Sequence, residues 1–131
     1  AGINAIEAAM TPRVLVIDDD EWLAKLLSRR LEHGGLTVRV ALNSIEALDL
    51  IDDFHPNVII LDLLMPGPNG LVLLHELQSH DDLGRIPVVV CTTSAREVTL
   101  EQLRPYGVRL LLDKTTMQPD DIMAAVRKVL P

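Results

Sequence analysis

Short apolar runs punctuate the chain, and each gives way to polar or turn-forming residues. Val14-Leu15-Val16-Ile17, Val58-Ile59-Ile60-Leu61, Val88-Val89-Val90-Cys91 and the segment Val108 to Leu112 are nearly continuous and rich in valine and isoleucine. That pattern reads as strands buried on both faces. Thr37-Val38-Arg39-Val40-Ala41 alternates instead, as a more exposed strand would. Between the runs the spacing is helical. Leu23, Leu26, Leu27 and Leu31 form one apolar face that stops at Gly34-Gly35. A second helix is predicted from about Ser44 to Asp53 with Ala47, Leu48 and Ile51 inward, and a third after Gly70 with Leu71, Leu74 and Leu77 inward. A weaker pattern holds Leu100 and Leu103, and Ser94-Ala95-Arg96-Glu97 upstream has the spacing of a capping box. The last helix has Pro119 in its first turn beside Asp120 and Asp121, turns Ile122, Val126 and Val129 to the sheet, and ends near Arg127 and Lys128.

Five strands alternating with five helices imply a parallel sheet covered on both faces, with right-handed crossovers. The expected fold is α/β, a flavodoxin-like doubly wound (βα)5 with strand order 2-1-3-4-5. At 131 residues the chain is one domain, and 48% apolar against 2% aromatic residues means an aliphatic core. A net charge of -7 argues against direct nucleic-acid or anionic-membrane partners. No apolar run approaches the ~20 residues of a membrane span. Cys91, inside an apolar run, reads as a packed thiol, and one cysteine without a secretory signal points to the cytoplasm. Met10 has the look of a natural start. Residues 1–9 are then an added remnant or a short amphipathic leader, and the domain is 10–131.

The chemistry sits where the strands should end. Asp62 interrupts the apolar run before the turn residues Pro66-Gly67-Pro68-Asn69-Gly70, and Asp18-Asp19-Asp20-Glu21 follows Ile17. Asp20 or Glu21 suits the first turn of a helix; Asp18 and Asp19 fit that role less well. His75 and His80 have no partner at metal spacing and read as surface residues. In the expected strand order the first and third strands are neighbours, so Asp18, Asp19 and Asp62 converge with Thr92 and Lys114 on one crevice. Clustered carboxylates repel, and a hard divalent cation such as Mg²⁺ relieves them. A hydroxyl and an ammonium complete a site for a phosphoryl group, with Asp62 as nucleophile.

Val14 to Asp20, Ile60-Leu61-Asp62-Leu63-Leu64-Met65-Pro66, Asn69-Gly70, Val90-Cys91-Thr92 and Asp113-Lys114, taken in order, resemble the receiver domain of two-component response regulators from Arg13 to Leu130. The resemblance implies that Asp62 is the phosphoacceptor for a sensor histidine kinase or phosphotransfer protein. It implies Mg²⁺ on Asp19, Asp62 and the backbone carbonyl of Leu64, with Asp18 acting through water. Thr92 and Lys114 would contact the phosphoryl oxygens. Such a domain is a signalling module limited to self-phosphotransfer and autodephosphorylation. It changes conformation toward a downstream effector, and a phosphorylation-dependent dimer is compatible with it. Two positions depart from the family pattern: Leu111 stands where an aromatic switch residue is common, and Thr115 replaces the proline after the lysine. Without that proline the Lys114-Thr115 bond is expected to be trans.

Two other readings compete. Asp18-Asp19-Asp20 after a strand has the flavour of haloacid-dehalogenase-like phosphatases, but Trp22 breaks that motif and Asp62 would go unused. A docking module that is never phosphorylated would have no need of the five-residue site.

Overall fold

The computed structural model describes residues 11–67 and 69–130, so the expectations for residues 1–9 and for Met10 lie outside the described residues. The strands are β1 (Arg13–Ile17), β2 (Thr37–Ala41), β3 (Val58–Leu61), β4 (Val88–Thr92) and β5 (Val108–Asp113). The helices are α1 (Glu21–His33), α2 (Ser44–Phe54), α3 (Gly70–Gln78), α4 (Leu100–Leu103) and α5 (Pro119–Val129), with 3₁₀ turns at Leu83–Arg85 and Arg104–Tyr106. All strands pair in parallel, in the order β2-β1-β3-β4-β5, as the alternation of elements predicts.

Successive strand residues point to opposite faces, so each continuous apolar run feeds two cores. Leu15, Ile17, Ile59, Leu61, Val88 and Val90 pack with Ile51, Leu73, Leu74 and Leu77 of α2 and α3 on one side. Val14, Val16, Val58, Ile60, Val89 and Cys91 pack with Leu27 and Leu31 of α1 and Ile122 and Val126 of α5 on the other. Helix starts are held by side chains that satisfy the orphan amides of the first turn. Asp20 accepts from the Leu23 amide, Asn43 from Glu46, and Asn69 from Leu71 and Val72.

Three local expectations are corrected. The capping box lies at Thr99–Gln102, with both reciprocal bonds made, and not at Ser94–Glu97. Residues 93–97 form turns instead, and the Ser94 hydroxyl is engaged with Thr92 at 3.1 Å. Both tetrads have the right spacing; only the second adjoins the apolar pair Leu100 and Leu103. In α3 the buried positions are Leu73, Leu74 and Leu77, while Leu71 is 39% exposed. Leu26 of α1, expected inward, is likewise exposed. In both helices the sheet contacts a narrower stripe than the leucines offer. The β4–β5 ladder also carries an irregularity that no sequence pattern announces: register passes from Val88↔Val108 to Val89↔Leu110, leaving Arg109 as an extra residue.

Gly70 is buried at the start of α3, where that helix runs closest to the end of β3. A Cβ there would lie 2.7 Å from the Asp62 carbonyl oxygen and 2.8 Å from Leu63 Cα, both rigid backbone atoms. Gly70→Ala should therefore destabilise the fold by about 1–3 kcal/mol, the usual cost of overpacking, read as a lower urea midpoint at unchanged m-value. An unchanged midpoint would show that α3 shifts freely.

Candidate functional site

Four of the five strands deliver a polar group to the site at their carboxyl ends. Asp18 follows β1, Asp62 follows β3, Thr92 is the last residue of β4, and Lys114 follows β5. Backbone bonds continue the sheet one step beyond the strands: the Asp18 amide donates to Ala41, Asp62 to Ile17 and Lys114 to Thr92, at 3.0–3.1 Å. These bonds fix where the side chains emerge.

Asp18, Asp62 and Thr92 are buried at 3%, 6% and 0% exposure, whereas Asp19 faces solvent. One carboxylate oxygen each from Asp18, Asp19 and Asp62 lies within 4.8 Å of the others. The Lys114 ammonium stands between two of them, 2.5 Å from Asp18 Oδ2 and 2.9 Å from Asp62 Oδ2. Asp18 Oδ1 accepts from the Asp20 amide at 2.9 Å, and Asp62 Oδ1 from the Leu64 amide at 3.1 Å. All five predicted polar residues thus come to one end of the sheet. Leu64, named for its carbonyl, is an exposed residue two positions past Asp62. The Lys114–Thr115 bond is trans, as expected.

The electrostatics are asymmetric. Burial pushes the Asp18 carboxyl above its ordinary 3.8, and the hydrogen bond and charge of Lys114 return only part of that cost. Burial also weighs against the Lys114 ammonium, but the bonds to Asp18 and Asp62 outweigh it and hold its pKa above 10.5. Asp113, next to the lysine, is held below the usual carboxylate value by the Thr115 hydroxyl and amide, the hydroxyl at 2.6 Å. Cys91 is pushed up to about 12 by burial, so it remains a thiol and no nucleophile, as its apolar setting implied.

Sequence reasoning missed Ser94 as a neighbour of the site. Its hydroxyl lies 3.1 Å from Thr92 Oγ1 and its amide donates to the same atom at 3.3 Å. The signal was present as Thr92-Thr93-Ser94, but the apparent capping box assigned Ser94 elsewhere. His75 and His80 are exposed as expected, although His75 meets the Tyr106 ring edge-on at 4.6 Å. Trp22, in the first turn of α1, is 74% exposed.

Oxygen donors this close, with a cation as their resident counter-charge, suit a hard divalent metal and an anionic reactant. Comparison with known proteins agrees. The model of the family described as "Response regulator receiver domain" matches residues 14–127. "Response regulator MprA" of Mycobacterium sp. (strain KMS) is 37% identical over 124 residues, covering 92% of this chain and 51% of that protein. The chain therefore spans about half the length of that relative. "Polar-differentiation response regulator DivK" of Brucella ovis is 30% identical over 110 residues, covering 84% of this chain and 89% of that protein. Among solved structures, response regulator TrrA of Thermotoga maritima in complex with Mg(2+)-BeF superposes with a TM-score of 0.78 at 25% identity, covering 92% of this chain and all of that one.

The pKa directions set a pH dependence for the metal-free protein. Above 3.8, and up to its higher folded-state value, Asp18 holds a proton more tightly folded than unfolded. Stability from that proton is fully present below 3.8 and is lost as pH rises through the folded value. The contribution of Lys114 is fully present below 10.5 and is lost as pH rises through its own elevated value. Asp18→Asn keeps the oxygen that accepts from the Asp20 amide and removes the buried charge. In chelator at pH 7 it should unfold at higher urea than the wild type, and the advantage should shrink as pH approaches 3.8. A lower midpoint at pH 7 would mean that the bond to Lys114 outweighs burial.

Proposed function

Because the chain belongs to the response regulator receiver domain family, we propose that Asp62 accepts a phosphoryl group from a phosphohistidine of a sensor histidine kinase or phosphotransfer protein. The observation that carries this reading is the buried Asp62 carboxylate, 2.9 Å from the Lys114 ammonium and within 4.8 Å of the Asp18 and Asp19 oxygens. An Asp62 oxygen attacks phosphorus, an O–P bond forms as the N–P bond breaks, and the histidine nitrogen leaves with the electron pair. The product is an acyl phosphate on this chain, reached in a single transfer, as befits a signalling domain.

The residues suit Mg²⁺: Asp18, Asp19 and Asp62 would hold it, with the Leu64 carbonyl as a further oxygen donor. Bound there, the metal would offset charge on the phosphoryl oxygens. Lys114 is tethered to the nucleophile itself, so it is placed to follow the phosphoryl oxygens as they arrive. Thr92 and Ser94 share a hydrogen bond that the Thr92 hydroxyl exchanges for one to the phosphoryl group. That exchange would pull on the loop between β4 and α4 and alter the surface read by a downstream effector or a second copy. Leu111 offers no ring to follow the threonine, and Tyr106 is already packed on His75, so loop movement carries the change. Among the described residues no helix is long and apolar enough to cross a membrane; a cytoplasmic site of action fits a kinase partner.

Acetyl phosphate or phosphoramidate with Mg²⁺ should add one acid- and base-labile phosphoryl group, seen by intact-mass spectrometry, and Asp62→Asn should lose it. Labelling of that variant at the wild-type level would refute Asp62. Trp22 lies three residues past Asp19, so Mg²⁺ should change its fluorescence. Asp19→Asn should weaken the Mg²⁺ affinity read from that response by about tenfold or more, the scale seen when a metal site loses a supporting group. A response untouched by the substitution would place the metal elsewhere.

A further inference from the structure

At the opposite end of the sheet, three cations surround one groove. Arg85 closes the 3₁₀ turn before β4, Arg109 is the second residue of β5, and Lys128 lies in the last turn of α5. With Pro87, Leu110, Val129 and Leu130 they line a groove of about 510 Å³. The strands are parallel, so this groove flanks their amino ends, while Asp62 and its neighbours occupy the carboxyl ends.

Two features define the groove. First, its three cations converge on one concavity, and none has a carboxylate partner among the described residues. Arg29, Arg104 and Arg127 are likewise without one, so it is the convergence, not the lack of a partner, that is particular to this place. Second, Arg109 is the residue that the β4–β5 irregularity leaves out of register. Bulges of this kind at an edge strand end regular pairing and re-aim a side chain. Lys128 has a local role against the α5 dipole. Arg85 stands at the end of a single 3₁₀ turn, and Arg109 lies at no helix end.

We propose that this groove binds an acidic stretch of polypeptide in which Asp or Glu alternates with apolar residues. Two guanidinium forks and an ammonium match carboxylates in number and geometry. Pro87, Leu110, Val129 and Leu130 offer apolar surface that a free inorganic anion would leave in water. The site is independent of phosphotransfer at Asp62 and stands or falls separately.

The probe is a short fluorescein-labelled peptide repeating Glu-Asp-Leu, followed by anisotropy. It should bind saturably, and the combined Arg85→Ser, Arg109→Ser, Lys128→Ser variant should bind at least tenfold more weakly, with wild-type circular dichroism. Arg29→Ser, on α1, and Asp62→Asn should both bind as the wild type does. A loss under twofold in the triple variant overturns the proposal, as does equal binding of a Gln-Asn-Leu peptide. Displacement by pyrophosphate as effective as by unlabelled peptide assigns the groove to small anions and overturns it too. If the triple variant fails to fold, amide-shift mapping on the wild type decides. Peptide-induced shifts must then cluster at Arg85, Arg109, Leu110 and Lys128, and a cluster elsewhere refutes the site.

Discussion

The ammonium of Lys114 between Asp18 and Asp62 is the contact on which the site depends. Two carboxylates buried side by side repel, and each loses hydration that a surface aspartate keeps. A single cation at 2.5 and 2.9 Å satisfies both, which ties the end of β5 to the ends of β1 and β3. The balance is incomplete, since burial still holds Asp18 above its ordinary pKa. Three carboxylates gathered about one ammonium are chemically suited to a further cation.

Holding that contact requires a rigid sheet, and the chain supplies one through apolar strands covered on both faces. Every residue of β3 and β4 is buried, so neither strand can slide without exposing a core. The amide of Asp62 is anchored to Ile17 and that of Lys114 to Thr92, each at 3.0–3.1 Å. The Asp62 carbonyl side is crowded by Gly70, where even a methyl group would collide. Asp62 therefore follows a fully buried strand and is hemmed in by backbone on one side. Thr92 and Ser94 lead into the turns before α4, a helix of four residues, and none of residues 93–97 is buried.

The two ends of the sheet carry opposite charge patterns. Carboxylates gather where the strands finish, and two arginines and a lysine gather where β4 and β5 begin. In a parallel sheet with returning helices, residues near a helix end and a strand start meet although they are distant in sequence. Arg85, Arg109 and Lys128 are an example, and nothing in their spacing hints at it.

Much of the molecule was determined by sequence alone. The apolar runs and their turn residues specify the strands, because a run of valine, isoleucine and leucine followed by Asp or Gly has few other uses in a small domain. Alternation with helices then dictates a parallel sheet, and strand order brings Asp18, Asp62, Thr92 and Lys114 together. What tertiary structure alone decided was which of several locally equivalent choices is used. Ser94–Glu97 and Thr99–Gln102 have the same cap spacing, and packing of the apolar pair after Thr99 selects the second. Leu71 and Leu73 are both leucines of α3 but lie on roughly opposite sides of the helix, and the rotation of the helix against the sheet buries Leu73 and leaves Leu71 half-exposed. Lys114 was legible as a member of the site, but its place between two carboxylates was not, because it depends on the distance between strand ends. The extra residue at Arg109 likewise has no local signature. It arises from how two strands fit each other, and a single strand's sequence does not contain its partner.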